Sequence, residues 1–240
     1  MTVFKVEQTS RKTEEKLGDL LWKIIKNTSE EKDSATATSS IDTLLNRICK
    51  ANEIDRGHIK LHLINKPEIN AITLPDNHLV IYSGLIAECE NEAELCGVIS
   101  HEIAHMQKKH VMKKLVKELG LTVLISVSAG KGGTEIIKKV LKQLSSSAYD
   151  RNLETEADMT GVEYLIKAHI DPEPFANLLF RFADKLPNLP DELNWLNTHP
   201  DSEERAKKII LSLKNKDLIK EPILKGDSWE LLKKDMKTNQ

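Results

Sequence analysis

The stretch VISHEIAHMQKKH, residues 98–110, determines how this chain folds and which chemistry it can carry. It places His101 and His105 four residues apart, with Glu102 directly after the first histidine. On a helix, side chains four residues apart lie on one face, so both imidazoles can reach a single ion. The glutamate can then contact a water molecule held by that ion. Zinc is the expected metal because histidine nitrogens are among its usual ligands.

A third protein ligand is needed, because catalytic zinc sites use three and keep one position for water. The segment RNLETEAD supplies Glu154, which follows His105 by 49 residues. Glu154 and Asp158 are four apart on a predicted helix and share one face. We therefore predict that Glu154 completes the ligand set and that Asp158 hydrogen-bonds a ligating imidazole, which fixes its tautomer. Taken alone, the spacing fits a solvated acidic face that includes Glu156 equally well.

The rest of the chain predicts a mostly helical α+β fold. Apolar residues at helical spacing indicate an amphipathic helix over 12–27, and the polar stretch 27–40 is typical of a loop or flexible linker. Ser39 or Ser40 is expected to cap the next helix. Short apolar runs separated by turn residues predict a small antiparallel sheet beside the metal helix. Its strands are expected at 59–64, 70–74 and 78–83, and helices at 92–118, 136–144 and 149–168.

The composition excludes several classes of protein. Lys and Arg number 35 against 37 Asp and Glu, so the chain lacks the basic excess of a dedicated nucleic-acid binder. Three cysteines are too few for a disulfide framework. The longest apolar stretch, Leu119–Ala129, is interrupted by polar residues and is shorter than the ~20 residues of a membrane span. The N-terminus does not resemble a secretory signal, so we expect a cytoplasmic protein, or a periplasmic one if a leader was removed.

The metal motifs resemble those of the HtpX and CAAX-prenyl-protease family of zinc metallopeptidases. HExxH followed by a distant ExxxD, with Arg151 three residues before the glutamate, is the order found in that family. The segment NAITLPDNHLVIYSGL, residues 70–85, is similar to the family's strand–turn–strand element before the metal helix. His110, five residues past the second metal histidine, is a further match. By itself, we interpret His110 as a structural residue that faces away from the metal.

The resemblance continues into the C-terminal part. Thr198-His199-Pro200, with Arg205 six residues after the histidine, is similar to the family's His-Pro-to-Arg element. The similarity spans about residues 58–210, and the lack of transmembrane helices is typical of the soluble branch. We therefore expect an N-terminal helix and polar linker, a zinc metallopeptidase domain and a C-terminal extension, over residues 1–40, 41–215 and 216–240.

The resemblance implies a gluzincin-like metalloprotease that holds one zinc ion per chain with His101, His105 and Glu154. It implies a zinc-dependent endopeptidase acting on unfolded or misassembled proteins, with Glu102 as the general base. His199 is expected either to donate to the oxyanion or to cap the zinc at rest. Arg205 is expected to hold the loop of His199 or to stabilise Glu154.

The substrate would be a polypeptide bound as an extended strand, because the strand at 78–83 is expected to be the sheet edge nearest the metal helix. Leu119–Ala129 is interpreted as a core helix, with a lid or a membrane-touching element as alternatives, so peripheral membrane contact is a further expectation. Two other classes of function remain open, a catalytically silent chaperone-like or protein-binding zinc module and a non-peptide zinc hydrolase. The intact Glu102 argues against the silent module.

Overall fold

The computed structural model describes residues 3–131, 133–146, 148–185 and 194–237, and its fold is mostly helical with one small sheet. The helices are α1 (Val3–Thr28), α2 (Ala35–Ala51), α3 (Ser83–Glu88), α4 (Glu92–Gln107), α5 (His110–Leu119), α6 (Leu121–Ser128), α7 (Gly133–Ser146), α8 (Arg151–Lys167), α9 (Glu173–Lys185), α10 (Asn194–Thr198), α11 (Ser202–Leu213) and α12 (Ser228–Met236). The strands are β1 (Lys60–Ile64), β2 (Ala71–Leu74) and β3 (His78–Tyr82). The predicted α+β class is confirmed.

The sheet is mixed, so the prediction of a purely antiparallel sheet is wrong. β2 and β3 form the expected hairpin, in which Asp76 and Asn77 adopt the left-handed backbone conformation that tight turns require. β3 then lies between the other two strands and runs parallel to β1. The strand at 78–83 is consequently central and has no free edge, which contradicts its predicted role as an edge. The edge strand that contacts α4 is β2.

The polar stretch 27–40 is also more ordered than predicted. Helix α2 begins at Ala35 because the Ser34 hydroxyl accepts a hydrogen bond from the Ala37 backbone N–H, so Ser34 and neither Ser39 nor Ser40 is the cap. The residues before it are tied to the sheet, since the Lys32 N–H donates to the carbonyl of Leu63. These contacts explain why a stretch without large apolar residues does not form a flexible linker. The domain bounds at 41 and 215 stay predictions.

The helix predicted over 92–118 is two helices. Lys109 lies between α4 and α5 with a φ of 55°, in the left-handed region, and this residue ends the first helix and redirects the second. The chain therefore turns back at His110, whose ring returns toward α4.

Helix α4 carries the HExxH motif and is buried on all sides, from Glu94 to Met106. It packs against α8, α9 and β2. Close approach of α8 depends on Gly161, where an added Cβ would lie 3.1 Å from the backbone nitrogen of His101. Among the described residues, no helix has both the length and the apolar character needed to cross a bilayer.

Candidate metal centre

Four side chains from three parts of the chain converge at the middle of the fold. α4 supplies His101 and His105, α8 supplies Glu154, and the turn after α10 supplies His199. The two α4 histidines bring their Nε2 atoms to 3.0 Å from each other. The Nδ1 of His199 lies 3.1 Å from the Nε2 of His101 and 3.0 Å from both Glu154 oxygens. All four side chains are at most 2% exposed, so few solvent molecules can satisfy them.

The spacing of these donor atoms fits a tetrahedral zinc ion. Zinc bonds of ~2.0–2.1 Å in a tetrahedron separate neighbouring ligand atoms by about 3.4 Å. Five of the distances among the donor atoms of His101, His105, Glu154 and His199 are 3.0–3.7 Å, and all of these atoms lie within 4.8 Å of one another. A cation between them would stabilise lone pairs that lie this close together in a buried space. The residues present therefore fit a single metal ion with nitrogen and oxygen ligands.

Asp158 and Arg205 form a second layer around the donors. An Asp158 oxygen lies 2.9 Å from the Nδ1 of His101, which leaves the Nε2 of that ring with a free lone pair. Arg205 donates two hydrogen bonds of 2.8 Å to Asp158 and lies 2.9 Å from a Glu154 oxygen. It also donates to the backbone carbonyl of His199 at 3.1 Å. The Arg205 guanidinium thus holds Glu154, Asp158 and the loop that carries His199.

The electrostatics favour the protonation states that a metal requires. Burial and the neighbouring His105 lower the pKa of His101 to about 3, so this ring is neutral at ordinary pH. Burial also lowers the pKa of His199 below its ordinary value. Burial by itself would raise the pKa of Glu154, but the facing His199 and the Arg205 guanidinium hold it well below its usual range. Neutral imidazoles beside an ionised carboxylate are the ligand forms that bind zinc.

Glu102 lies directly beside the donor cluster with both carboxylate oxygens held. One oxygen accepts a hydrogen bond from the Thr73 hydroxyl of β2 at 2.9 Å, and the other accepts one from the Trp195 indole N–H at 3.2 Å. The Nε2 of His199 lies 3.4 Å from the same carboxylate. Burial raises the pKa of Glu102 above its ordinary value, as a group that accepts and returns protons requires.

His110 contacts His105 through the ring nitrogen that does not join the donor cluster, in line with its interpretation as a residue that faces away from the metal. Its Nδ1 lies 3.1 Å from the Nδ1 of His105, and its Nε2 lies 3.2 Å from a Glu156 oxygen. Sequence spacing could not find this contact, because residues five apart on a continuous helix do not face each other. The break at Lys109 brings the two rings together.

Two aromatic residues complete the walls and were missed from sequence. The Tyr149 ring stacks near His199 at 5.3 Å between centroids and lies 4.4 Å from the ring of His105. The Trp195 ring stacks on His199 from another direction, at 4.7 Å. Neither residue belongs to a periodic pattern, so the only sequence signal is their proximity to Glu154 and His199. Arg151, in contrast, lies at the surface and pairs with Asp201 at 2.8 Å.

A second group of possible ligands, Asp19, Asp76 and His78, already contains a positive charge. The Lys60 ammonium lies 2.6 Å from Asp76, 3.4 Å from Asp19 and 3.2 Å from the Nε2 of His78. The lysine offsets the charge of one of the two carboxylates and lies between the three side chains, where a metal ion would have to bind.

Comparison with known proteins places this arrangement in a family. A model described as peptidase family M48 matches residues 35–210. Metalloendopeptidase OMA1, mitochondrial, of Bos taurus is 31% identical over 192 residues, covering 72% of this chain and 36% of that protein. The beta-barrel assembly-enhancing protease of Yersinia pestis is 27% identical over 181 residues, covering 70% and 37%. Mitochondrial metalloendopeptidase OMA1 of Schizosaccharomyces pombe is 26% identical over 174 residues, covering 72% and 52%.

This chain spans between about a third and a half of the length of these relatives. The family match nevertheless includes the sheet, the HExxH helix and all four converging side chains. It confirms the metallopeptidase family that the resemblance to HtpX and CAAX-prenyl proteases implied. The chain belongs to peptidase family M48.

Proposed function

We propose that this chain is a zinc-dependent endopeptidase. The observation that carries the proposal is the convergence of three imidazole nitrogens and one carboxylate within 4.8 Å, beside the buried carboxylate of Glu102. His101, His105 and Glu154 would hold the zinc. When bound, the ion would lower the pKa of a water molecule and polarise a peptide carbonyl.

Glu102 is the proposed general base. The hydrogen bonds from Thr73 and Trp195 fix its two oxygens, so the carboxylate does not need to reorganise when it accepts a proton from the attacking water. The same carboxylate then delivers a proton to the leaving amine. Burial, which makes the protonated form more accessible, supports both steps.

His199 is the proposed resting-state cap. Its Nδ1 lies among the donor atoms and its Nε2 lies near Glu102, so it occupies space that a water molecule and a substrate carbonyl would need. Turnover then requires this side chain to move. A moved His199 remains available as a donor to the oxyanion, so the two predicted roles can follow each other. Arg205 contacts both the His199 carbonyl and Glu154, so it would keep the His199 loop beside the metal centre while the His199 side chain moves.

The proposed substrate is an unfolded or misassembled polypeptide bound as an extended strand. The substrate strand would pair with β2 and not with β3, which is the central strand. β2 is an edge of the sheet, and its Thr73 contacts Glu102. Main-chain pairing of this kind makes few demands on side chains, which suits a protease of non-native proteins. The name of one relative, a beta-barrel assembly-enhancing protease, is in line with a substrate of this class.

The test combines metal analysis with a digestion assay. The purified protein is expected to contain one zinc per chain and to cleave unfolded casein, and a chelator should abolish cleavage until zinc is restored. Glu102→Gln should retain zinc and fold but lose ~10²–10⁴ in rate. Zinc-loaded protein without any cleavage would favour the catalytically silent module, and full activity of Glu102→Gln would exclude the proposed base.

A further inference from the structure

The charge of this chain is strongly segregated. Residues 108–146 contain nine lysines and two glutamates, a formal charge of +7. Because the whole chain carries −2, the remaining residues carry −9. This basic segment covers α5, α6 and α7, which follow the metal helix directly. Segregation on this scale inside a nearly neutral protein indicates a surface that meets a negatively charged partner.

The basic segment also carries a concentration of exposed apolar side chains. Helix α6 buries only Leu124 and Val127, so its interpretation as a core helix is wrong. The side chains exposed on α6 and its two neighbours are Val116, Leu121, Val123, Ile125 and Ile136, each 39–49% exposed. They form most of the large apolar residues that are exposed in the described part of the chain. We call these five residues and the lysines around them the α5–α7 surface.

Several lysines of the α5–α7 surface remain available to a partner. Lys113, Lys131 and Lys139 are exposed and form no ion pair with any residue that the structure describes. Other lysines form ion pairs at the surface, namely Lys108–Glu156, Lys109–Glu14, Lys117–Asp150 and Lys138–Glu135 at 3.1–3.8 Å. Exposed pairs of this kind are weak and exchange readily for a stronger anionic field.

We propose that the α5–α7 surface binds the face of an anionic lipid bilayer. Lysines interact with anionic headgroups, and apolar side chains on a surface helix enter the boundary between headgroups and acyl chains. An acidic protein would satisfy the lysines, but exposed leucine, isoleucine and valine on α6 gain more from a bilayer interior. The flanking glycines, Gly120 and Gly130, have positive φ and no neighbours within 4 Å of an added Cβ, so both ends of α6 lie at the open surface.

Docking through this surface would bring the metal centre close to the membrane. α5 begins at His110, whose ring contacts His105. The buried Lys114 of α5 lies 4.2 Å above the Tyr149 ring, which in turn packs on His199. Helix α5 is therefore part of both the α5–α7 surface and one wall of the centre. The proposal does not depend on catalysis, because binding to lipid can be measured with the Glu102→Gln protein.

The test is cosedimentation of the full chain with unilamellar vesicles. Binding is expected to vesicles in which a third of the lipids is phosphatidylglycerol, to weaken at high salt, and to be absent with phosphatidylcholine alone. Neutralising Lys113, Lys131 and Lys139 to Gln should weaken binding about fivefold per lysine, or roughly a hundredfold together. The matched control neutralises Lys214, Lys216 and Lys225, which are exposed elsewhere, and should change little.

A second pair of variants tests the apolar contact. Leu121→Ser with Ile125→Ser should weaken vesicle binding at least tenfold, whereas Leu211→Ser with Leu231→Ser, at sites that are even more exposed, should not. An environment-sensitive fluorophore on Ile125→Cys should shift to shorter wavelength with anionic vesicles, and one on Leu211→Cys should not. The native cysteines are buried and will not compete for the label. Absence of binding, equal losses in both variant pairs, or binding to polyglutamate that vesicles do not displace would overturn the proposal.

Discussion

The Nδ1 of His110 lies 3.1 Å from the Nδ1 of His105, on the side of that ring opposite the converging donors. Only one of these two nitrogens can carry a hydrogen in such a contact. His105 needs a free lone pair on its Nε2 to bind a metal, so its Nδ1 carries the hydrogen and donates to His110. The Nε2 of His110 then carries a hydrogen and donates to Glu156 at 3.2 Å. A buried histidine thereby fixes the tautomer of a proposed ligand.

Removing this contact should weaken metal binding. We expect His110→Ala to lower zinc affinity by ~10–100-fold, because His105 loses the acceptor that orients it. His110→Asn keeps an acceptor oxygen near the same position and should recover most of the affinity. Competition against a chromophoric chelator measures the difference, and the visible spectrum of the cobalt-substituted protein reports on ligand geometry. Equal affinities of the alanine, asparagine and native proteins would show that His110 only fills space.

Loss of Glu154 should remove the metal more completely than loss of a neighbouring carboxylate. Glu154→Ala deletes the only carboxylate among the four converging residues, and we expect zinc content to fall sharply at nanomolar free metal. Glu163→Ala is the matched control on the same helix, since Glu163 is exposed. Metal analysis after dialysis gives the comparison. Full zinc retention in Glu154→Ala would assign the third ligand elsewhere.

His199→Ala separates a cap from an oxyanion donor by the sign of its effect. If His199 restrains the resting site, its removal should raise the rate of casein cleavage. If its main role is donation to the oxyanion, the rate should fall by ~10²–10³. We expect the increase, because its Nδ1 lies 3.0–3.1 Å from the donor atoms of His101 and Glu154. His169→Ala, at a partly exposed histidine, is the control, and an unchanged rate in both variants would exclude both roles.

Stability should fall in mild acid for a reason unrelated to the metal. Burial, with Lys60 and His62 close by, lowers the pKa of His78 to about 4, although Asp19 and Asp76 partly oppose this. An unfolded histidine binds a proton near pH 6.5, so acid favours the unfolded chain between about pH 6.5 and 4. This effect should cost about 2–3 kcal/mol at the lower end of that window.

The variant His78→Gln tests the origin of that loss. It keeps polar contacts in place but cannot titrate, so the difference in unfolding free energy between native and variant should shrink as the pH falls from 6.5 to 4. Urea unfolding at several pH values, with both proteins in the same metal state, measures this difference. Parallel pH curves for the two proteins would assign the acid loss to other groups.

The proposed ligands were within reach of sequence reasoning because helical spacing carries them. His101 and His105, and likewise Glu154 and Asp158, are four apart on helices that do form. His199 and Arg205 have no such spacing, and only the family resemblance pointed to them. Sequence spacing predicts which side chains share one face of a helix. It does not predict which distant loop packs against that face, because this depends on tertiary structure.

The errors have a common physical cause. The direction of β1, the early start of α2 and the end of α4 at Lys109 each depend on backbone features of single residues or short connections. Lys109 illustrates the point, because helix periodicity continues through it while its backbone is left-handed. Hydrophobic patterns average over a window of residues and do not register a change at one position.

Glu154, Asp158 and Gly161 occupy positions i, i+4 and i+7 of α8 and form one stripe toward α4. Glu154 is the proposed ligand, Asp158 orients His101, and Gly161 allows the backbones of α8 and α4 to come into contact. The position of the donor is therefore set by the separation of two helix axes. For a protein engineer, α4 and α8 are a pair of helices that together carry the three proposed zinc ligands and Asp158. Building this pair into another protein would require keeping Gly161 as strictly as His101 and His105.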